Sequence, residues 1–177
     1  MGFAYKIYDQ YSMYFVTFTV HQWVDVFTRP RYRELLIESL QYCQQNKGLR
    51  IYAWVVMSNH LHLIVSAIHE NLSDVIRDFK KYTAKSIVNE IECNGQESRK
   101  DWLLRCFKKN EKIWFWEEGY HGVEITDEDI FATKLNYIHL NPVRNGLVKF
   151  AEDYLLSSAK DYLTNESGIL EISFLKR

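Results

Sequence analysis

The chain has 177 residues, 47% of them apolar, 25% charged and 15% aromatic, with seven glycines and two prolines. This excludes disorder, collagen-like repeats and low-complexity function, and one domain over residues 1–177 can bury roughly two-thirds of its unfolded surface without disulfide staples. The net charge of −1 excludes a uniformly basic surface, yet residues 77–112 carry ten basic against six acidic residues and the stretch from 122 onward six against nine. Such asymmetry describes either one anion-focusing face or an ordinary solvated helix face.

In chain order, residues 12–20 (SMYFVTFTV) are aromatic and β-branched with weak alternation, which predicts a strand. Thr28 is the expected cap of a helix starting at Arg29-Pro30, with Tyr32, Leu36, Leu40 and Cys43 on one stripe and Gly48 at its end. Residues 51–69 contain no Asp, Glu, Lys or Arg and could span a bilayer as a helix, but Ser58, Asn59, His60 and His62 in their middle make that costly. They read instead as an antiparallel hairpin of strands 51–57 and 60–66, with Asn59 supplying positive φ in a two-residue turn.

From Leu72 a helical stripe runs through Val75, Ile76, Phe79, Tyr82, Thr83, Ile87 and Ile91, with Asn71 or Ser73 as cap. After a connector near Asn94-Gly95 a helix is expected over 101–110, then a short strand over 113–117. The order β-α-β-β-α-β predicts an α+β fold of the ferredoxin-like kind, an antiparallel sheet with helices on one face and the other free for a site. A final helix opens at Thr126 with Asp127, Glu128 and Asp129 in its first turn and is expected to stop near His139 or Leu140, before Pro142. The three scattered cysteines, Cys43, Cys93 and Cys106, form no CxxC pair and suit a reducing cytoplasm. The opening MGFAYK lacks a secretion signal, and Lys6 stands where a myristoylation signal needs Ser or Thr, so neither export nor a membrane partner is expected.

His60 and His62, two apart on a strand, project from the same face, half of a metal site or else two hydrogen-bonded core histidines. On the last helix Lys134, Tyr137 and Asn141 share a face with Ile130, while Phe131, Leu135 and Ile138 form the core stripe. The core does not need Tyr137. A phenol and a carboxamide at i, i+4 can bring a nucleophile and a third ligand to one metal; the alternative is one exposed tyrosine among twelve.

The segments VVMSNHLHLIV (55–65), FKKYTAK (79–85), FWEEGYHGVEI (115–125), KLNYIHLNPVRNGLV (134–148) and YLLSSAKDY (154–162) resemble consecutive signatures of the REP-associated tyrosine transposases, relatives of the single-tyrosine HUH transposases of the insertion-sequence-200 class. The resemblance implies His60 and His62 as metal ligands, Asn141 as third ligand and Tyr137 as nucleophile. It also covers His121, to which no role attaches. Ser58 and Gly122 stand where the family commonly has proline, and Asn145 where it commonly has alanine, departures that touch loop stiffness and DNA fit rather than the catalytic set.

What the resemblance implies is metal-dependent cleavage of single-stranded DNA next to hairpins of repetitive extragenic palindromes, leaving a free 3′-hydroxyl and a 5′-phosphotyrosine. A free phenol is ionised to about a thousandth at neutral pH, a cost of about 4 kcal/mol. Something must lower the phenol's pKa or take its proton; Mg²⁺ or Mn²⁺ would supply much of the remaining help as a Lewis acid on the phosphate and leaving oxygens, and Lys134 is either a proton or charge partner or a solvated lysine. Arg77, Lys80, Lys81, Lys85, Lys108 and Lys109 are the candidate phosphate contacts. The protein is expected in the cytoplasm, on the nucleoid when bound to DNA, as monomer or homodimer. Rival readings are a domesticated hairpin binder that no longer mobilises DNA, a non-catalytic single-stranded nucleic-acid module, and a zinc or manganese hydrolase of small molecules. The second lacks the RNA-binding signature strand, and the third leaves Tyr137 and the basic segment idle.

Overall fold

The computed structural model describes residues 7–69, 71–164 and 166–175. It opens with β1 (Tyr14–Thr19), α1 (Pro30–Lys47), β2 (Leu49–Val56), β3 (His60–Ala67) and α2 (Leu72–Cys93). There follow α3 (Lys100–Phe107), a small hairpin of β4 (Lys108–Lys109) and β5 (Lys112–Ile113), β6 (His121–Glu124), α4 (Glu128–Arg144) and α5 (Ala159–Leu163). The main sheet has the order β2-β3-β1-β6, antiparallel throughout. That is the split arrangement of interlocked β-α-β units expected from the sequence order, in an α+β fold.

Alternation sorts the strand residues into two layers. Val16, Phe18, Leu61, Leu63 and Val65 pack with Tyr32, Leu36 and Leu40 of α1 and Val75, Ile76 and Phe79 of α2. Phe15, Ala53, Val55 and Ile64 face the other way and meet Phe131 and Ile138 of α4. The open edge of β2 is covered by the C-terminal chain: Val56 N–H donates to Leu156 O at 2.9 Å, Ser158 N–H to Trp54 O at 3.0 Å and Ser173 N–H to Ile51 O at 2.8 Å. Sealing an edge in this way removes a template for unwanted pairing.

Several local expectations need correction. The fourth strand is not 113–117 but β6, which pairs with β1 from Thr17↔His121 to Tyr14↔Glu124. Phe115 and Trp116 are both buried while Ile113 and Trp114 are exposed, so this short apolar run is a partly buried connector, a pattern that periodicity does not separate from a strand. The helix expected over 101–110 ends at Phe107, because Asn110 and Glu111 take φ of 49° and 61° to turn β4 into β5. The hairpin between β2 and β3 closes without positive φ at Asn59. Thr28 does not cap α1; its hydroxyl donates to Asp25 O at 2.9 Å, and Pro30 alone starts the helix. Neither Asn71 nor Ser73 caps α2 with its side chain; Gln10 Oε1 accepts from Ser73 N–H at 2.9 Å instead.

Helix α4 starts at Glu128 with Asp127, not Thr126, as its cap, Asp127 Oδ1 accepting from Ile130 N–H at 2.8 Å, and it continues through Pro142 to Arg144. The proline forfeits one backbone hydrogen bond near the helix end, whereas continuing the helix buries Asn141 and Pro142. Gly146, at φ 69°, then turns the chain away. Among the described residues no helix is long and apolar enough to cross a membrane.

Candidate metal and nucleophile site

Antiparallel register sets Thr17 opposite His62 and Thr19 opposite His60, so both imidazoles rise from the α4 face of the sheet. Their ring centroids are 4.7 Å apart. His62 is held on two sides: its Nδ1 is hydrogen-bonded to Thr17 Oγ1 at 2.7 Å, and Phe15 stacks on its ring with 5.5 Å between centroids. His60 Nδ1–H donates to Asn59 Oδ1 at 2.7 Å. With the Nδ1 atoms engaged, the Nε2 atoms are left to face the site, and His62 Nε2 is buried without a hydrogen-bond partner.

Burial holds His60 below the usual histidine range. It pushes His62 down to about 3, aided by the neighbouring His60 and by Lys134. Both rings are therefore neutral at physiological pH, the state that a metal ligand requires. An orphaned imidazole nitrogen beside a second neutral imidazole fits a divalent cation, and ligand nitrogens fixed through their opposite ring atoms are the usual supporting arrangement.

Helix α4 delivers the remaining groups. Docking by Phe131 and Ile138 leaves Tyr137 39% exposed, with its ring edge-on to His62 at 5.2 Å and to Phe15 at 5.9 Å. One turn on, Asn141 is buried, and Asn145 Nδ2 donates to its Oδ1 at 3.0 Å and to its backbone O at 2.9 Å. Two cations border the site: Arg144, its guanidinium carbon 6.0 Å from the Tyr137 ring centre, and Lys134, its Nζ 4.8 Å from the ring centre of Phe15, which stacks on His62. Among the described residues no three His, Cys, Asp or Glu side chains cluster; Asn141, one turn beyond Tyr137, is a candidate of another type.

His60, His62, Tyr137 and Lys134 are thus brought to one place, with Asn141 on the same helix. The basic residues of 77–109 are not. Helix α2 packs on the opposite face of the sheet, and two of its cations are already engaged. Arg77 forms ion pairs with Asp74 at 2.6 Å and Asp78 at 3.0 Å. Lys80 is no phosphate contact here: its ammonium donates to Glu117 O at 3.1 Å and Gly119 O at 2.5 Å, and burial pushes it down to about 8. Lys108 pairs with Glu92. Lys81, Lys85 and Lys109 are exposed and free of ion pairs among the described residues. The side chain of His121 lies outside the described residues; its backbone pairs with Thr17.

Sequence reasoning did not single out Phe15, Thr17 or Arg144, and it read Asn59 only as a turn residue, not as the partner of His60. The strand alternation contained the first two, but only the β1–β3 register identifies their partners. Arg144, seven residues after Tyr137, was legible as two helical turns along the same face once α4 was allowed to pass Pro142.

Three comparisons bear on this arrangement. The family described as "Transposase IS200 like" matches residues 9–141, from the approach to β1 to Asn141 itself. A REP-associated tyrosine transposase of Escherichia coli strain K12 is 25% identical over 128 residues, which are 71% of this chain and 63% of that protein, so the chain spans a little under two-thirds of its relative's length. The solved structure of a REP-associated tyrosine transposase bound to a REP hairpin superposes with a TM-score of 0.69 at 18% identity, covering 100% of this chain and 98% of that one, which is a likeness of fold.

Proposed function

The chain belongs to the IS200-like transposase family, and from that premise we propose that it is a metal-dependent single-stranded DNA endonuclease and strand transferase that cuts beside hairpins of the REP kind. The observation that carries the reading is the Tyr137 phenol ring, partly open to solvent, edge-on at 5.2 Å to a histidine whose Nε2 is buried and unpartnered.

Tyr137 Oη attacks a phosphodiester; the Oη–P bond forms as the P–O3′ bond breaks, the phenol gives up its proton and the departing 3′ oxygen takes one up. The downstream strand is left as a 5′-phosphotyrosine. Because a phenolate leaves more readily than an alkoxide, a 3′-hydroxyl can reverse the step without ATP. His60, His62 and Asn141 would hold Mg²⁺ or Mn²⁺, which when bound supplies Lewis-acid polarisation of the phosphate oxygens. All three ligands are neutral and leave the ion's charge undiminished. Arg144 and Lys134 add positive charge beside the phenol, where phosphate would sit, and Phe15 and Thr17 keep the His62 ring from turning away. The work would be done in the cytoplasm, on the nucleoid.

Incubation with hairpin-flanked single-stranded oligonucleotides and Mn²⁺ or Mg²⁺ should give a covalent protein–DNA band. Tyr137→Phe should abolish the band and retain hairpin binding. Adduct formation by that variant would end the assignment.

A further inference from the structure

Between β1 and α1 the chain makes a short 3-10 turn, His21–Trp23, in which two consecutive non-glycine residues occupy the left-handed region, Gln22 at φ 55° and Trp23 at φ 57°. L-residues rarely adopt this backbone, and it persists only where the surroundings impose it. Here they do. Gln22 N–H donates to Glu117 Oε1 at 2.9 Å, and His21 Nδ1 lies 3.1 Å from the same oxygen. Trp23 N–H donates to Val20 O at 2.9 Å. The Trp23 carbonyl accepts from Asn59 Nδ2 at 3.1 Å, and the other end of that carboxamide holds His60 Nδ1.

A strained backbone fastened at this many points presents a large apolar ring to water. Trp23 is 64% exposed, and the part that is covered is edge-on to His60, 6.2 Å between centroids. The core gains little from such a tryptophan. A flat, exposed ring beside an imidazole of the proposed phosphate site has the chemistry of a stacking platform for a nucleobase. We propose that Trp23 stacks on one base of the nucleotides flanking the scissile phosphate and so fixes the position of the strand relative to His60 and Tyr137. This rests on the single-stranded DNA reading above but concerns binding, so it is measured without cleavage.

The test is fluorescence anisotropy of the full chain with a labelled hairpin-flanked single strand, in which each nucleotide of the flank is made abasic in turn. Trp23→Ala should weaken binding to the intact strand about 5- to 150-fold, the range of one aromatic–base stack, and Trp23→Phe should keep most of the affinity. One abasic position should cost the wild type a similar factor and cost Trp23→Ala nothing further. Trp23→Gly, which relaxes the left-handed backbone, should melt no lower than the wild type and bind as weakly as Trp23→Ala, which separates lost stacking from lost folding. Trp23→Ala or Trp23→Gly binding as tightly as the wild type would overturn the inference. So would a loss in Trp23→Ala that adds equally to every abasic position, which would assign the ring to a protein contact instead. Position-specific coupling without any covalent band would uphold the platform and sink the nuclease reading; a band without coupling would do the reverse.

Discussion

Val16, Phe18, Leu61 and Leu63 point to one side of the sheet, while Phe15, Thr17, His60 and His62, their immediate neighbours in the chain, point to the other. The first set is sealed beneath α1 and α2 as an apolar core. The second is covered only in part, by α4, where a small apolar cluster of Phe15, Phe131 and Ile138 sits beside buried polar groups, among them His62 with its Nε2 lacking a partner. The same two strands therefore supply stability on one face and chemistry on the other, and residues one position apart should fail in different ways when altered.

The sharpest contrast is His62→Ala against Leu63→Ala. The first should abolish the covalent adduct in a gel assay while leaving the melting temperature close to that of the wild type. The second should cost about 2–5 kcal/mol of stability in chemical denaturation and spare the adduct formed by whatever remains folded. If both lose stability equally, the division between the faces is wrong.

Acid should also reach the α4 side first. His139 is buried on α4, hydrogen-bonded to Ser158 Oγ at 2.9 Å, and burial pushes it down to about 4. A histidine of lowered folded value binds protons more tightly when unfolded, so its contribution is intact above about 6.5 and is lost as pH falls from there toward 4. His139→Gln should flatten the dependence of melting on pH in that window by on the order of 3 kcal/mol. His62 acts in the same direction.

Smaller effects concern the supports. Thr17→Val removes the hydrogen bond to His62 Nδ1 and should weaken metal-dependent activity about 10- to 100-fold with little change in stability. Asn145→Ala frees the Asn141 carboxamide; the metal concentration for half-maximal adduct should rise less than tenfold, with the yield at saturating metal unchanged.

The framework was legible because its signals are local: the apolar runs of the hairpin, Pro30 and Gly48 at the ends of α1, and the run of acids at 127–129 that marks the start of α4 to within a residue. The edge strand β6 was not, being four residues long with a glycine inside, next to a far more apolar connector at 113–117. The end of α4 was misjudged because a proline rule operates on backbone preference, and burial of Asn141 outweighed it. In the site, spacing alone paired His60 with His62 and Tyr137 with Asn141, but what orients them comes from across the sheet or from an adjoining loop. The lysines show the converse limit. Composition located positive charge without revealing that Lys80 is tied to two backbone carbonyls or that α2 lies behind the sheet.

The packing of α4 through Phe131 and Ile138 carries one more implication. On the reading proposed, the phenol meets the imidazoles only after this small second core has closed, so a nascent or half-unfolded copy carries every reactive group and still cannot nick a chromosome. Folding itself serves as the safety catch.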